Sequence, residues 1–120
     1  MNLELKRVYN LTSTKDAYRV LVDRLWPRGI SKEDLKIDYW AKSLCPSNEL
    51  RKWFHEDKNR WEEFCRKYRD ELAKKESDIW DLYDKIKSED KVSLLYATKD
   101  EARNHATVLK EVLEYTLTKD

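Results

Sequence analysis

Two short stretches hold the residues able to do chemistry. The first is Asp23-Arg24-Leu25-Trp26-Pro27-Arg28-Gly29, where a carboxylate, two guanidinium groups and an indole crowd together and end on the only glycine of the chain. The second is Lys99-Asp100, followed closely by Asn104-His105. Together they offer an acid–base group (His105), a carboxylate to orient it (Asp23), and cations that suit a phosphate or a carboxylate. His105 and Asp23 are therefore the candidate catalytic pair. Arg24, Trp26, Arg28, Lys99 and Asn104 are the residues expected to hold an anionic small molecule. Each has a plainer reading. Asp23 could pair with an arginine merely to pin a turn. His105 could be a partly buried histidine bonded to Asp23 or to a carbonyl, and Asn104 could cap its own helix. His55, in Phe54-His55-Glu56-Asp57, sits at a helix end where a charged imidazole suits the dipole, and catalysis is its lesser reading.

These residues need a scaffold. Tyr18 to Val22 reads as a buried strand, because valine and tyrosine suit a pleated surface covered on both faces. Pro27 cannot donate to a sheet ladder, so this strand stops at or before Trp26. Gly29 permits a turn with positive φ, and Ser31-Lys32-Glu33-Asp34 reads as a capped helix start. Asp23, Arg24 and Arg28 then lie at the carboxyl end of a strand, where open α/β sheets bind ligands. Val92 to Ala97 is a second buried strand. A polar turn over Thr98 to Glu101 leads into a helix reaching about Leu117, with Ala102, Ala106, Leu109 and Leu113 on its inner face. Unpaired N–H groups at that helix start favour an anion, and Lys99 adds to the preference. If the two strands are parallel neighbours, Asp23, Arg24, Arg28, Lys99 and His105 converge on one sheet edge.

The rest of the chain is mostly helical. Leu3 to Tyr9 fits a short strand. The connection over Asn10 to Asp16 is short for a parallel crossover, so an antiparallel pairing with the next strand, or no direct pairing, is expected. Leu35, Tyr39, Trp40 and Leu44 fall on one side of a short helix that Pro46 ends. Ser47 caps a helix carrying Leu50, Trp53 and Phe54. Asn59-Arg60-Trp61-Glu62 resembles a further capped start. Trp61, Phe64, Cys65, Tyr68 and Leu72 then recur at i, i+3, i+4, i+7 and i+11, the strongest helical period in the chain. A helix from about Asp78 to Lys87 presents Ile79, Leu82, Tyr83 and Ile86. This pattern describes one α/β domain over residues 1–120: a small, partly parallel sheet of three or four strands flanked by about five helices.

Composition bounds the function. The chain has 120 residues, of which 40% are hydrophobic and 41% charged. Its 25 basic and 24 acidic residues leave a net charge of +1, which argues against a non-specific nucleic-acid binder but leaves room for a local basic pocket. Five Trp and seven Tyr supply a substantial core. Cys45 and Cys65 show no metal-like spacing and read as reduced thiols, Cys65 as an inert one on an apolar helix face. With no membrane-length apolar run and no secretory leader pattern, a cytoplasmic address is expected. A glycine-rich phosphate loop, a serine elbow, a strand-end cysteine and a metal-ligand set are all lacking. Those gaps count against P-loop nucleotide chemistry, serine hydrolysis, thiol-phosphatase chemistry and zinc catalysis, and no cofactor is called for. One competing reading is a nucleic-acid or protein binding module using Trp26, Trp40, Trp53 and Arg51 as an aromatic, basic surface. The tryptophans, however, recur at the spacing of a helical core. Another is a purely structural domain or dimer subunit.

One resemblance covers essentially the whole chain. Leu5-Lys6-Arg7-Val8-Tyr9, the run from Tyr18 through Asp23-Arg24-Leu25-Trp26-Pro27-Arg28-Gly29, Glu49-Leu50-Arg51-Lys52-Trp53-Phe54-His55, and Leu94-Leu95-Tyr96-Ala97-Thr98-Lys99-Asp100 with Asn104-His105-Ala106 resemble the short, YeaO-like branch of the "domain of unknown function 488" family. The resemblance implies a small cytoplasmic α/β protein and assigns no reaction. Some relatives carry labels such as methyltransferase or transcriptional regulator, but this chain has neither a glycine-rich cofactor loop nor a winged-helix pattern. Longer relatives look as if they carry Cys in place of Tyr96, and Cys-His-Arg in place of Asn104-His105-Ala106. On that correspondence His105 is shared and the thiols are lost, so thiol chemistry does not carry over.

Overall fold

Four strands, β1 (Asn2–Arg7), β2 (Tyr18–Leu21), β3 (Tyr39–Trp40) and β4 (Lys91–Tyr96), form one sheet in the order β1-β4-β2-β3, every neighbouring pair parallel. The computed structural model describes residues 2–12 and 14–118. The two apolar runs take the central positions. Val20, Val22, Val92 and Leu94 face the larger core, while Leu21 and Leu95 face a smaller one on the opposite side. That two-sided burial is why these strands read as continuous apolar runs rather than alternating ones.

The larger core is covered by α2 (Asn48–Glu56), α3 (Trp61–Ala73), α4 (Glu76–Ile86) and α5 (His105–Thr118). Leu50 and Phe54, Phe64 and Tyr68, Ile79 and Leu82, and Leu109 and Leu113 point into it. The smaller core is closed by the short α1 (Lys32–Leu35) through Leu35, with Trp26, Ile30, Ile37 and Trp40 packed around. The expected α/β class and helix count are borne out. Among the described residues no helix is long and apolar enough to cross a membrane.

Several expectations need correcting. β1 does not run antiparallel to β2. It is separated from β2 by β4 and runs parallel to both, so only the "no direct pairing" alternative holds. Among its described residues the connection from β1 to β2 holds only a 3-10 turn, Val8–Asn10, and ten residues suffice to reach back along a six-residue strand without a crossover α-helix. The helix expected over Leu35 to Leu44 is also absent. Lys36 takes a left-handed conformation (φ 49°) that stops α1, and Tyr39-Trp40 pair with Val20-Leu21 as the edge strand β3. Asn59 does not cap α3. Asp57 instead caps a 3-10 turn, Lys58–Arg60, that runs directly into the helix. Ala102 lies outside α5 and is exposed, because that helix begins only at His105.

Candidate functional site

The connections leaving the two central strands diverge. After β2 the chain passes under the sheet through α1 to β3, while after β4 it enters α5, which packs back over β1 and β4. A crevice opens between the carboxyl ends of strands whose connections part in this way. Here it is a hollow of about 260 Å³, walled by the loop after β2, the start of α5 and the far end of α2.

Asp23 and His105 are brought together as expected. The N–H of Val22 continues the sheet by donating to Leu95 O (3.0 Å), which carries Asp23 just beyond the last rung. Its Oδ2 accepts from the backbone N–H of Ala97 (2.9 Å), its carbonyl accepts from Trp40 Nε1 (2.7 Å), and its Oδ1 lies 3.0 Å from His105 Nε2. That nitrogen also lies 2.9 Å from Val22 O. Both neighbours of Nε2 are acceptors, so Nε2 carries the proton and, in the neutral ring, Nδ1 carries the lone pair. The one proton on Nε2 lies between Val22 O and Asp23 Oδ1, a buried oxygen that has no other partner. Asp23 makes no arginine ion pair among the described residues, so the plainer reading of that carboxylate is replaced by a link between two strand ends and a helix.

The expected ligand-holding residues divide. Arg24, Trp26, Arg28 and Asn104 line the hollow; Lys99 is exposed and is not part of its wall. Arg24 Nη2 reaches Pro46 O (3.2 Å), while its buried Nε has no partner. Trp26 Nε1 donates to Ile30 O (2.6 Å) and its ring meets Trp40 edge-on at 5.6 Å, so the indole braces the turn it belongs to. Arg28 is exposed at the rim, anchored through its carbonyl, which accepts from Tyr9 Oη (2.9 Å). Asn104 is a cap: its Oδ1 accepts from Thr107 N (3.1 Å) and its Nδ2 donates to Asp100 O (2.7 Å).

Three more cations arrive that the sequence pattern does not place at this edge. Arg51, Lys58 and Arg103 line the hollow, as does His55. Arg51, His55 and Lys58 are spaced i, i+4, i+7, which puts them on one side of α2 and the turn after it. That stripe is legible in the sequence once cations rather than apolar residues are tested for a helical period. Burial lowers the pKa of His55, and the positive charges of Lys58 and Arg51 lower it further. The dipole expected to favour its charged form does not prevail. Five basic side chains thus face one carboxylate, against a wall that includes Phe54 and Phe64.

Neither cysteine is poised to react. Cys45 lines the hollow but is buried, its thiol donating to Val22 O (3.0 Å), and burial, with Asp23 nearby, pushes its pKa up to about 12. Cys65 is half-buried and free, its pKa also raised by burial. Among the described residues no group of three or more His, Cys, Asp or Glu is arranged to hold a metal ion.

Comparison with known proteins agrees with this picture of a family without an assigned reaction. The chain is 46% identical over 113 residues to the uncharacterized protein YeaO of Escherichia coli K12, covering 94% of this chain and 97% of the relative. It is 39% identical over 111 residues to the uncharacterized proteins Mb3100c of Mycobacterium bovis and Rv3073c of Mycobacterium tuberculosis, covering 92% of each chain. No solved structure matches it significantly. The pattern of a family described as "Inactive DUF488-N3 subclade" matches residues 2–120, and the chain therefore belongs to that subclade.

Proposed function

We propose that the protein binds a small phosphate- or carboxylate-bearing molecule at the carboxyl edge of its sheet, and that it holds this ligand rather than transforming it. The observation that carries the reading is the charge of the hollow: five basic side chains against a single carboxylate that already lies beside His105. A recess with convergent polar groups and an apolar wall is the usual form of a small-molecule site. Three things favour binding over turnover. The subclade is described as inactive, the only two thiols have raised pKa values, and His105 Nε2 is occupied by Val22 O. Asp23 and His105 act in this reading as a brace between β2, β4 and α5. A nucleic-acid or protein surface built on Trp26, Trp40, Trp53 and Arg51 draws less support, since the Trp26 and Trp40 N–H groups are taken up inside the protein.

Thermal unfolding with sulfate or phosphate at constant ionic strength tests the proposal. A specific site stabilises the fold by about 2.7 kcal/mol at a hundredfold excess of ligand over Kd. That stabilisation should shrink in Arg28→Ala and nearly vanish in Arg51→Ala/Lys58→Ala. A shift no larger than chloride gives at equal ionic strength contradicts it.

A further inference from the structure

The sheet ends differently at its two sides. At one side β3 is two residues long and each of its rings carries a lysine: Lys85 Nζ lies 5.1 Å from the centre of the Tyr39 ring, and Lys42 Nζ 4.1 Å from that of Trp40. A short edge covered by cations resists pairing with a further strand. At the other side β1 is six residues long, keeps register with β4 throughout, and contains no proline or glycine. Among the described residues no strand lies on its outer side.

The ladder tells which backbone groups face outward. The Asn2 N–H donates to Asp90 O (2.9 Å), so Asn2, and by alternation Glu4 and Lys6, address β4. Leu3 and Leu5 therefore turn their N–H and C=O groups to the open side. Glu4 and Lys6 share one face of the strand, with Glu4 Oε1 accepting from Ser93 Oγ (2.9 Å) and lying 3.6 Å from Lys6 Nζ.

These placements select one register for a second copy. Identical strands related by a twofold axis run antiparallel, and residue i then meets j where j meets i. Outward residues must oppose outward residues to exchange hydrogen bonds. Centring the pair on Glu4 or on Lys6 sets like charges face to face, which is destabilising. Centring it on Leu3 leaves half the strand unpaired. Centring it on Leu5 uses the whole strand and sets Glu4 of each copy directly opposite Lys6 of the other. Leu5 is only partly buried against the larger core, so this register also covers its remaining surface.

We propose that β1 pairs with β1 of a second copy, antiparallel and centred on Leu5, joining two sheets into one through a twofold axis. The inference is independent of the anion-binding reading, and the joint leaves the two hollows at opposite ends of the shared sheet.

The experiment is sedimentation of the full chain over a concentration series from about 1 to 500 µM, with residue-resolved amide exchange at both ends of the series. Monomer should give way to dimer, and the Leu3 and Leu5 amides should exchange more slowly as it does. Lys6→Glu sets carboxylates against each other twice and should weaken dimerisation at least about tenfold. Thermal unfolding of that variant at the dilute end should match the wild type, because the Lys6–Glu4 pair within one copy is a surface one. A chain that stays monomeric throughout overturns the proposal, even if the edge takes a strand from another protein. A dimer whose Leu3 and Leu5 amides gain no protection overturns it too, as does a folded Lys6→Glu that dimerises like the wild type. Should Lys6→Glu fail to fold, amide exchange of the wild type decides alone.

Discussion

Asp23 is the most connected residue of the site, tied by its two carboxylate oxygens and its carbonyl to Ala97, His105 and Trp40. Asp23→Ala removes the group that links the ends of β2 and β4, and it leaves the Ala97 N–H without its acceptor. It should destabilise the fold by about 1–3 kcal/mol in urea titration; a loss under about 0.5 kcal/mol contradicts the bracing role. His55 gives a prediction in pH. Its native pKa lies below the ordinary value of 6.5, so it contributes stability above that value and loses it as pH falls through the native pKa. The same protonation adds a cation to the hollow. Sulfate, whose charge is constant over about pH 5 to 8, should therefore bind more tightly as the solution is acidified, and this dependence should vanish in His55→Ala. The thiols give a third. Alkylation of native protein, followed by mass spectrometry, should modify Cys65 well before Cys45, whose pKa is about 12. At this scale the sequence was informative where a residue sits at a strand end or a helix start, as Asp23 and His105 do. It does not fix the place of Lys99, which is exposed and outside the wall of the hollow, because a turn residue can face solvent as easily as a cleft.

Among the elements, the strands and helices that bury apolar runs were legible, and the short pieces were not. β2, β4, α2, α3 and α4 appear where valine and leucine runs or helical periods place them, because burial of those side chains dominates local preference. β3 was hidden. Tyr39 and Trp40 have the spacing of a helix face relative to Leu35 and Leu44, yet the left-handed Lys36 stops α1, and the ladder from Arg19 to Ala41 captures the segment. Nothing within Tyr39-Trp40 announces that capture, since it depends on a neighbouring strand. The loop before α1 turns on Gly29, whose φ of +78° is unfavourable for any other residue although a Cβ would meet nothing within 4 Å. Gly29→Ala should therefore cost about 1–2 kcal/mol through backbone strain alone. It should also weaken anion binding, by displacing Arg28. Unchanged stability in thermal or urea unfolding would show that the turn adapts freely.

For the whole molecule, near-neutral composition conceals a strongly polarised site. Twenty-five basic and twenty-four acidic residues almost cancel, but folding gathers five of the basic ones around one hollow and leaves a single acid there. No sum over the sequence contains that information. It arises because β4 inserts between β1 and β2 and the connections beyond β2 and β4 part, so the end of α2 closes over the same edge. The β1-β4-β2-β3 order was the least legible feature, since a short linker whose described residues hold a single 3-10 turn still crosses one strand. The central claim is that this gathered charge is a binding site. Its most direct test is calorimetric titration of inorganic phosphate into the wild-type chain and into Arg51→Ala/Lys58→Ala at one pH and ionic strength. Saturable one-to-one binding by the wild type, weakened at least about tenfold in the variant while the fold is retained, is the predicted result. Equal heats in both proteins, or none in either, would contradict it.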